Sequence, residues 1–596
     1  MTKHWQYSDD LLLNSLQGLA NSNPDLNYLE SERLVYRPAS PDKVIILSGG
    51  GAGHEPLHAG FVGKGCIDVA VSGEIFASPS VKQIYSGLKV NQSEKGTLIV
   101  VKNYTGDVLH FGMAAERITA EDYPNRILIV QDDVAVGRTK NGLVGRRALA
   151  GTCFVHKVVG AKSEMEHHKA TLDDVYDIGK RVNESLVTIG ASLDRVEIPR
   201  VGKQSDSSAS SIAPLSSNEA EIGMGIHNEP GIHRHSPVPE IRDLVHSLLA
   251  YLLSPADKER HYVEFNYGDE IALLVNNLGG TSNLELYAIQ NFVVESLEKT
   301  YHISPSRIYT GTMTTSLDGP GFSITLLNIT KAGGEEIKDC LDYPTEAPGW
   351  NSHLTRNKWE REREDDEEPN YDIELPTSLV TFEPAEYKKV LVEGCKALIS
   401  KEAKLTEYDT IAGDGDCGIT MARGGNSILK VIDNGELELV DAVRSLAQIA
   451  DILETEMGGT SGGLYSIFVS GMVSSLKEQE KKKEGGKGFK VDKRVLSKTL
   501  KDALGTLEKY TRARVGDRTL MDALIPFVEK FEETADVEEA AKAAIAGAEK
   551  TRKMEAKFGR ASYVGKEEFE RYEAEGGVPD AGAIGLAGLI AGMANE

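Results

Sequence analysis

A chain of 596 residues is too long for one hydrophobic core, and 40% hydrophobic with 26% charged residues is the composition of ordinary globular domains, so two or more such domains are expected. A formal net charge of −25 excludes nucleic acid or an anionic membrane as the main partner, because both require clustered Lys and Arg; an anionic substrate must be met by a local site. The start MTKHWQYSDD carries neither an apolar signal core nor a transit-peptide bias and no run of eighteen apolar residues follows, which predicts a cytoplasmic location. Cys66, Cys153, Cys340, Cys395 and Cys417 lack CxxC spacing, so neither a zinc site nor a disulfide framework is indicated.

In chain order, Val44–Ser48 (VIILS), Cys66–Val71, Thr97–Asn103 (TLIVVKN), Arg126–Val130 (RILIV), Glu270–Leu278 and Phe322–Ile329 each have the length of a buried strand. Glycine turns and amphipathic stretches separate them, which predicts an α/β domain over residues 1–345. Gly202–Asn218 is too small and polar to pack and reads as an exposed loop. From Tyr343 to about Pro376 prolines and a dense charge run predict a linker or solvated arm, with the boundary placed at 346–380. Beyond it amphipathic helical stretches dominate: Ala385–Ser400, Leu437–Leu453, Val495–Tyr510, Asp517–Thr534 and Val537–Phe558, so residues 381–596 are expected to form an all-α bundle. Its charged stretch Lys477–Lys487 reads as a surface loop.

Three turns in the first domain carry chemistry. Ser48–Pro56 (SGGGAGHEP) is a glycine-rich loop after a strand that ends in His54. It lacks the Lys-Ser/Thr ending of a P-loop and the spacing and downstream acid of a dinucleotide fingerprint, so neither ATP nor NAD belongs there. Lys102–Phe111 (KNYTGDVLHF) places Lys102 and Asp107 at a second strand end, and Glu221–Gly231 (EIGMGIHNEPG) places His227 in a third glycine-rich turn. Ligands collect at the carboxyl ends of strands in such sheets, so these turns can share a pocket. A neutral imidazole can add to a carbonyl as a nucleophile, or simply pair with a backbone carbonyl; residue type alone leaves both open.

In the second domain Glu407–Gly424 (EYDTIAGDGDCGITMARG) sets Asp409, Asp414 and Asp416 in a glycine-broken loop between two helices. Carboxylates this close repel one another unless a cation compensates them, and oxygen ligands suit Mg²⁺ carrying phosphates, although a solvated acidic turn would read the same way. Met457–Leu464 (MGGTSGGL) puts Thr460 and Ser461 at an apparent helix start, fit for a phosphate or for an ordinary cap. Arg514–Thr519 (RVGDRT) offers Arg518 as a fixed cation, and Val578–Ala583 (VPDAGA) opens a late small-residue helix.

Taken together these motifs resemble the dihydroxyacetone kinase family. GGGAGHEP, KNYTGD, GMGIHNEPG, VNNLGGTS (Val275–Ser282) and PTEAPGW are similar to its DhaK-type substrate domain; AGDGDCG, MGGTSG, ARVGDRT and GRASYVG are similar to its DhaL-type nucleotide domain, in matching order. Both domains on one chain resembles the ATP-dependent, single-chain kinases. The resemblance implies an α/β substrate domain followed by an all-α helical-bundle nucleotide domain that together phosphorylate dihydroxyacetone, and glyceraldehyde as well. It implies that His227 adds to the substrate carbonyl as a hemiaminal, that Asp107 accepts the hydroxyl proton, and that His54 assists as an acid–base group. Gly51, Ala52, Gly53, His54 and Lys102 would line that pocket. Asp409, Asp414 and Asp416 would hold two Mg²⁺ against ATP. The nucleotide would contact Asp414, Gly415, Asp416, Cys417, Gly418, Thr460, Ser461, Gly516, Arg518, Asp580, Ala581 and Gly582. A homodimer is implied too. The alternatives are an added lyase activity splitting FAD to cyclic FMN, which some animal relatives carry, and a non-catalytic ketose-binding interaction protein.

Overall fold

The computed structural model describes residues 5, 7, 10–38, 40–139, 143–199, 214–352, 354–361, 374–483, 487–556, 572 and 576–594. The chain divides into two compact units, Met1–Asp365 and Asp366–Glu596.

The first unit holds two six-stranded sheets. In one, the spatial order is β1 (Asn27–Leu29), β2 (Leu34–Tyr36), β4 (Val69–Ile75), β3 (Ile45–Ala52), β5 (Thr97–Lys102) and β6 (Asn125–Val130), with β3 to β6 parallel and β1 and β2 antiparallel at the edge. The other runs β11 (Pro305–Gly311), β10 (Ile271–Asn277), β12 (Gly321–Asn328), β7 (Leu186–Ser192), β8 (Ala220–Ile222) and β9 (His233–His235); only β10 and β11 pair in parallel. The helix Gly151–Met165 packs against strands of both sheets and is buried over almost its whole circumference, which is why its sequence, GTCFVHKVVGAKSEM, shows no amphipathic stripe. Its approach is close: a Cβ on Gly160 would fall 2.0 Å from the Cys66 carbonyl oxygen.

Several expectations need correction. The glycine tract read as a loop continues β3 as far as Ala52, because a Cβ on Gly49 would lie 2.3 Å from the Val71 carbonyl; the glycines let neighbouring backbones approach within a strand. Cys66 precedes its predicted strand, which begins at Val69. The stretch expected to be a linker starts as core. Trp350 is 1% exposed, and Trp359 lies against the guanidinium of Arg307, itself buried in a two-bond pair with Asp342 at 2.9 and 2.7 Å. Of the loop Gly202–Asn218, positions 202–213 lie outside the described residues, as does the GRASYVG motif.

The second unit is helical, with a two-residue pairing of Val380–Thr381 and Phe489–Lys490. Pro384–Ile399, Ala442–Ile452, Lys493–Leu507, Met521–Thr534 and Val537–Lys550 answer the five predicted helices. Two of them start late for local reasons. Asp441 caps Ala442–Ile452 by accepting from the Val443 and Arg444 amides, and the Gly516 and Thr519 amides donate to Asp522, holding the preceding turn open. Four further helices complete the unit: Glu402–Ala412 and Cys417–Asp433 flank the acidic loop, and Gly459–Lys482 and Ala581–Met593 begin at the two helix starts the sequence marks. The Lys477–Lys487 surface loop is wrong through Lys482, which ends a 24-residue helix. The bundle encloses an apolar cavity of about 500 Å³, bordered by Leu398, Phe468, Leu524 and Leu589 among others. Among the described residues no helix is long and apolar enough to cross a membrane.

Candidate active site

In the first unit the turn after β3 is joined to the segment after β11. The Leu317 amide donates to the Gly53 carbonyl at 2.8 Å, and His54 Nδ1 lies 2.8 Å from the Thr315 carbonyl oxygen. Gly53 has φ of +96°, a left-handed conformation that an L side chain resists. His54 is 2% exposed, and its Nε2 lies 3.0 Å from Nε2 of His227. The turn that carries His227 thus meets the β3 turn across 173 residues of sequence. Edge-on rings surround His227: His54, Phe76 and Tyr104, with centroids at 4.8, 5.2 and 4.7 Å. On its far side Glu229 accepts both from the His227 amide, at 2.9 Å, and from ring Nδ1, at 3.0 Å.

These contacts fix the protons. A carbonyl oxygen only accepts, so His54 Nδ1 carries hydrogen; a carboxylate only accepts, so His227 Nδ1 does too. Burial, with the charges of Lys102 and His227, holds His54 well below the ordinary histidine range, so its ring is neutral and Nε2 is a bare lone pair. A hydrogen bond across the 3.0 Å contact between the Nε2 atoms then takes its proton from the His227 side. Burial would raise the Glu229 carboxyl, but the hydrogen bond and charge of His227, with Arg147, bring it down to about 2. Glu229 is the counter-ion.

Lys102 ends β5, and Asp107 sits in the first turn of the following helix, Thr105–Thr119. Both are buried, at 3% and 6% exposed, yet Lys102 Nζ and Asp107 Oδ1 have no hydrogen-bond partner among the described residues. Burial lowers the ammonium to about 8 and raises the carboxyl. Of the expected pocket residues, His54, His227, Lys102 and Asp107 converge through these charges, and Gly51, Ala52 and Gly53 form the strand end beneath them. Sequence reading missed Glu229, Phe76, Tyr104 and Thr315. Glu229 had a signal, lying two residues beyond His227 in HNEPG.

In the second unit Asp409 belongs to the last turn of Glu402–Ala412 rather than to the loop, and its carboxylate accepts from the Cys417 amide at 3.0 Å. One ligand oxygen from each of Asp409, Asp414 and Asp416 can be chosen so that all lie within 4.8 Å of one another. That donor set fits a hard divalent cation. Thr460 and Ser461 occupy the first turn of Gly459–Lys482, whose N-cap Gly458 has φ of +66°. Ser461 reaches the Cys417 thiol, which burial and the neighbouring Asp409, Asp580 and Asp416 push up to about 12. The same surroundings raise Asp580 to about 6 against the pull of the Ala583 amide and Arg518.

Gly418 and Asp580, both expected to contact the nucleotide, also make structural contacts. Gly418 is buried where the helices Glu402–Ala412 and Cys417–Asp433 cross, and Asp580 caps Ala581–Met593 through the Ala583 amide at 2.8 Å, with Ala581 and Gly582 in that first turn. Arg518 is buried, and its Nη2 donates to the Val578 carbonyl at 2.9 Å, tying the Gly516 turn to that loop.

The family model described as Dak1 domain matches residues 17–349, and that described as DAK2 domain matches residues 411–595. A dihydroxyacetone kinase of Pichia angusta is 59% identical over 100% of this chain and 98% of its own, and one of Komagataella pastoris is 56% identical over 99% and 98%. The crystal structure of the dihydroxyacetone kinase from C. freundii in complex with AMP-PNP and Mg²⁺ is 28% identical, with a TM-score of 0.62 over 100% of this chain and 99% of that one.

Proposed function

The chain belongs to the dihydroxyacetone kinase family, and we propose from its geometry how it performs the ATP-dependent phosphorylation of dihydroxyacetone. The observation that carries the reading is the His54–His227 contact backed by Glu229, because it supplies a nucleophile, an acid–base partner and a fixed counter-charge.

The shared proton moves to His54 Nε2, which frees the His227 Nε2 lone pair to attack the ketose carbonyl carbon. A C–N bond forms and the carbonyl π bond breaks. His54 returns the proton to the oxygen, which becomes a hydroxyl. The His227 ring, still protonated at Nδ1 and now alkylated at Nε2, keeps the positive charge the pair held before, and Glu229 remains opposite it. The addition therefore needs no proton from solvent. Polyols without a carbonyl cannot be held this way. Asp107 takes the proton of the hydroxyl that attacks phosphorus, and the Lys102 ammonium donates to substrate oxygens.

Asp409, Asp414 and Asp416 would hold Mg²⁺, which when bound supplies positive charge to the ATP phosphates. Around it the chain's own task is positioning: the first-turn amides and hydroxyls at Thr460 and Ser461 suit a phosphate, and the Gly516–Arg518 turn borders the same region through Asp580. Glyceraldehyde carries the same carbonyl and should be a second substrate. Membership in this family also supports a cytoplasmic homodimer; light scattering giving a single 64.7 kDa mass would reject the dimer.

A coupled assay with ATP and Mg²⁺ tests the reading. Turnover is expected with dihydroxyacetone and none with glycerol; turnover of both would remove the carbonyl requirement.

A further inference from the structure

A second buried histidine stands beside this pocket with no task in the mechanism above. His58 is 5% exposed, and its Nδ1 lies 3.1 Å from Ser48 Oγ; Nε2 of His156 lies 2.9 Å from the same oxygen. Ser48 has one hydroxyl hydrogen and gives it to the Val100 carbonyl at 2.8 Å, so it can only accept from the two rings. Both His58 Nδ1 and His156 Nε2 therefore carry hydrogen. Burial, reinforced by Lys102, holds both imidazoles far below the ordinary range, so each ring is neutral and has one N–H. His58 Nε2 is left as a bare acceptor, sealed from solvent and without a donor among the described residues.

Its direction is informative. A Cβ placed on Gly50 would lie 3.3 Å from His58 Nε2 and 3.6 Å from Asp107 Oδ2, so the acceptor faces the same glycine floor as the base. Lys102 Nζ and Asp107 Oδ1 are unpartnered as well. Acceptor, donor and acceptor left unpaired in one buried region match a small molecule with two hydroxyl groups. Ser48 and His156 then have a purpose: they lock the tautomer that presents the lone pair.

We propose that His58 is a substrate-binding residue whose Nε2 accepts a hydrogen bond from the ketose hydroxyl that is not transferred, while Asp107 receives the one that is. This rests on the ketose reading above and adds a specificity element to it. A ketone lacking that hydroxyl would leave the buried acceptor unpaired and be rejected.

The test compares dihydroxyacetone with hydroxyacetone, which has the carbonyl but one hydroxyl, by calorimetric binding to the full chain without nucleotide. Wild type should bind dihydroxyacetone at least about tenfold tighter. His58→Asn keeps an amide at the Nδ1 position for Ser48 but nothing at Nε2, and should lose that preference while binding hydroxyacetone within about twofold of wild type. His58→Gln, which brings an amide to the Nε2 position, should recover part of it. Equal weakening toward both ketones in both variants, or failure of both to fold, would assign His58 to the core and overturn the proposal. So would a preference that survives in His58→Asn. Wild-type protein that binds neither ketone would instead bring down the ketose reading itself.

Discussion

Glu229 grips His227 at two points, accepting from its backbone amide and from its ring Nδ1. The imidazole can neither rotate nor move its Nδ1 hydrogen, so the lone pair freed for the addition is the one at Nε2, toward His54. Glu229→Gln preserves size but removes the charge that balances the alkylated ring. A fall in kcat/KM of roughly 100-fold or more on dihydroxyacetone is expected, by analogy with other carboxylates that orient a histidine. Intact-protein mass spectra should lose the ketose adduct in parallel, as they should completely in His227→Ala. Activity within twofold of wild type would remove Glu229 from the mechanism.

If Lys102 binds the ketose as proposed, its ammonium should set an alkaline limit on ketose binding. Its ammonium, held at about 8, is lost as pH rises through that value, so affinity for dihydroxyacetone should fall above pH 8. Unfolding is not the cause. The unfolded chain keeps that lysine protonated to about 10.5, so between 8 and 10.5 it binds more protons than the folded one, and this group makes stability rise with pH. Lys157, also lowered to about 8 by burial, acts in the same direction. Lys102→Arg should shift the binding limit upward by at least a unit, and an unmoved limit would show that another group titrates.

Asp414→Asn and Asp416→Asn should each abolish ATP-dependent turnover while leaving ketose binding nearly intact, since the carboxylate cluster and the histidine pair belong to different units. Metal removal with a chelator should reproduce this in wild type. Loss of ketose affinity in either variant would contradict the assignment of roles to units.

The histidines, Lys102 and the acidic cluster were legible in the sequence because motifs mark them at strand and helix ends. Glu229 was missed although it is local, since a Glu before Pro in a glycine-rich turn reads as a turn residue until the ring beside it is seen. Tyr104 sits inside the KNYTGD motif but carries no sign of its own there, and Phe76 and Thr315 left no local trace; all three have meaning only once the sheets are folded. Helix extents were harder to read than helix existence. Runs such as GDGDCGITMARGG and AGAIGLAGLIAGM are rich in glycine, a poor helix former, and tertiary contacts override propensity there: a Cβ on Gly585 would fall 2.3 Å from Met421 Sδ, so bulk at that position would push two helices apart. Short strands such as β8 and β9 have three residues each, too few for any alternation to register.

Glycine-to-alanine substitutions in the second unit should therefore split by position. At Gly418 a new Cβ would fall 2.2 Å from the Glu402 carbonyl oxygen and 2.8 Å from the Thr406 amide nitrogen, both backbone atoms that cannot swing away. Separating these helices also separates Asp409 from Asp416, so Gly418→Ala should destabilise by about 1–3 kcal/mol and weaken Mg²⁺-dependent activity. At Gly463, exposed on the helix Gly459–Lys482, nothing lies within 4 Å of the built Cβ. There alanine removes only the entropic penalty of glycine in a helix, and Gly463→Ala should stabilise by about 0.5–1 kcal/mol with activity unchanged. Thermal unfolding of the full chain reads both signs. A stable, active Gly418→Ala would mean that the helix crossing is looser than described here, and with it the spacing of the three carboxylates.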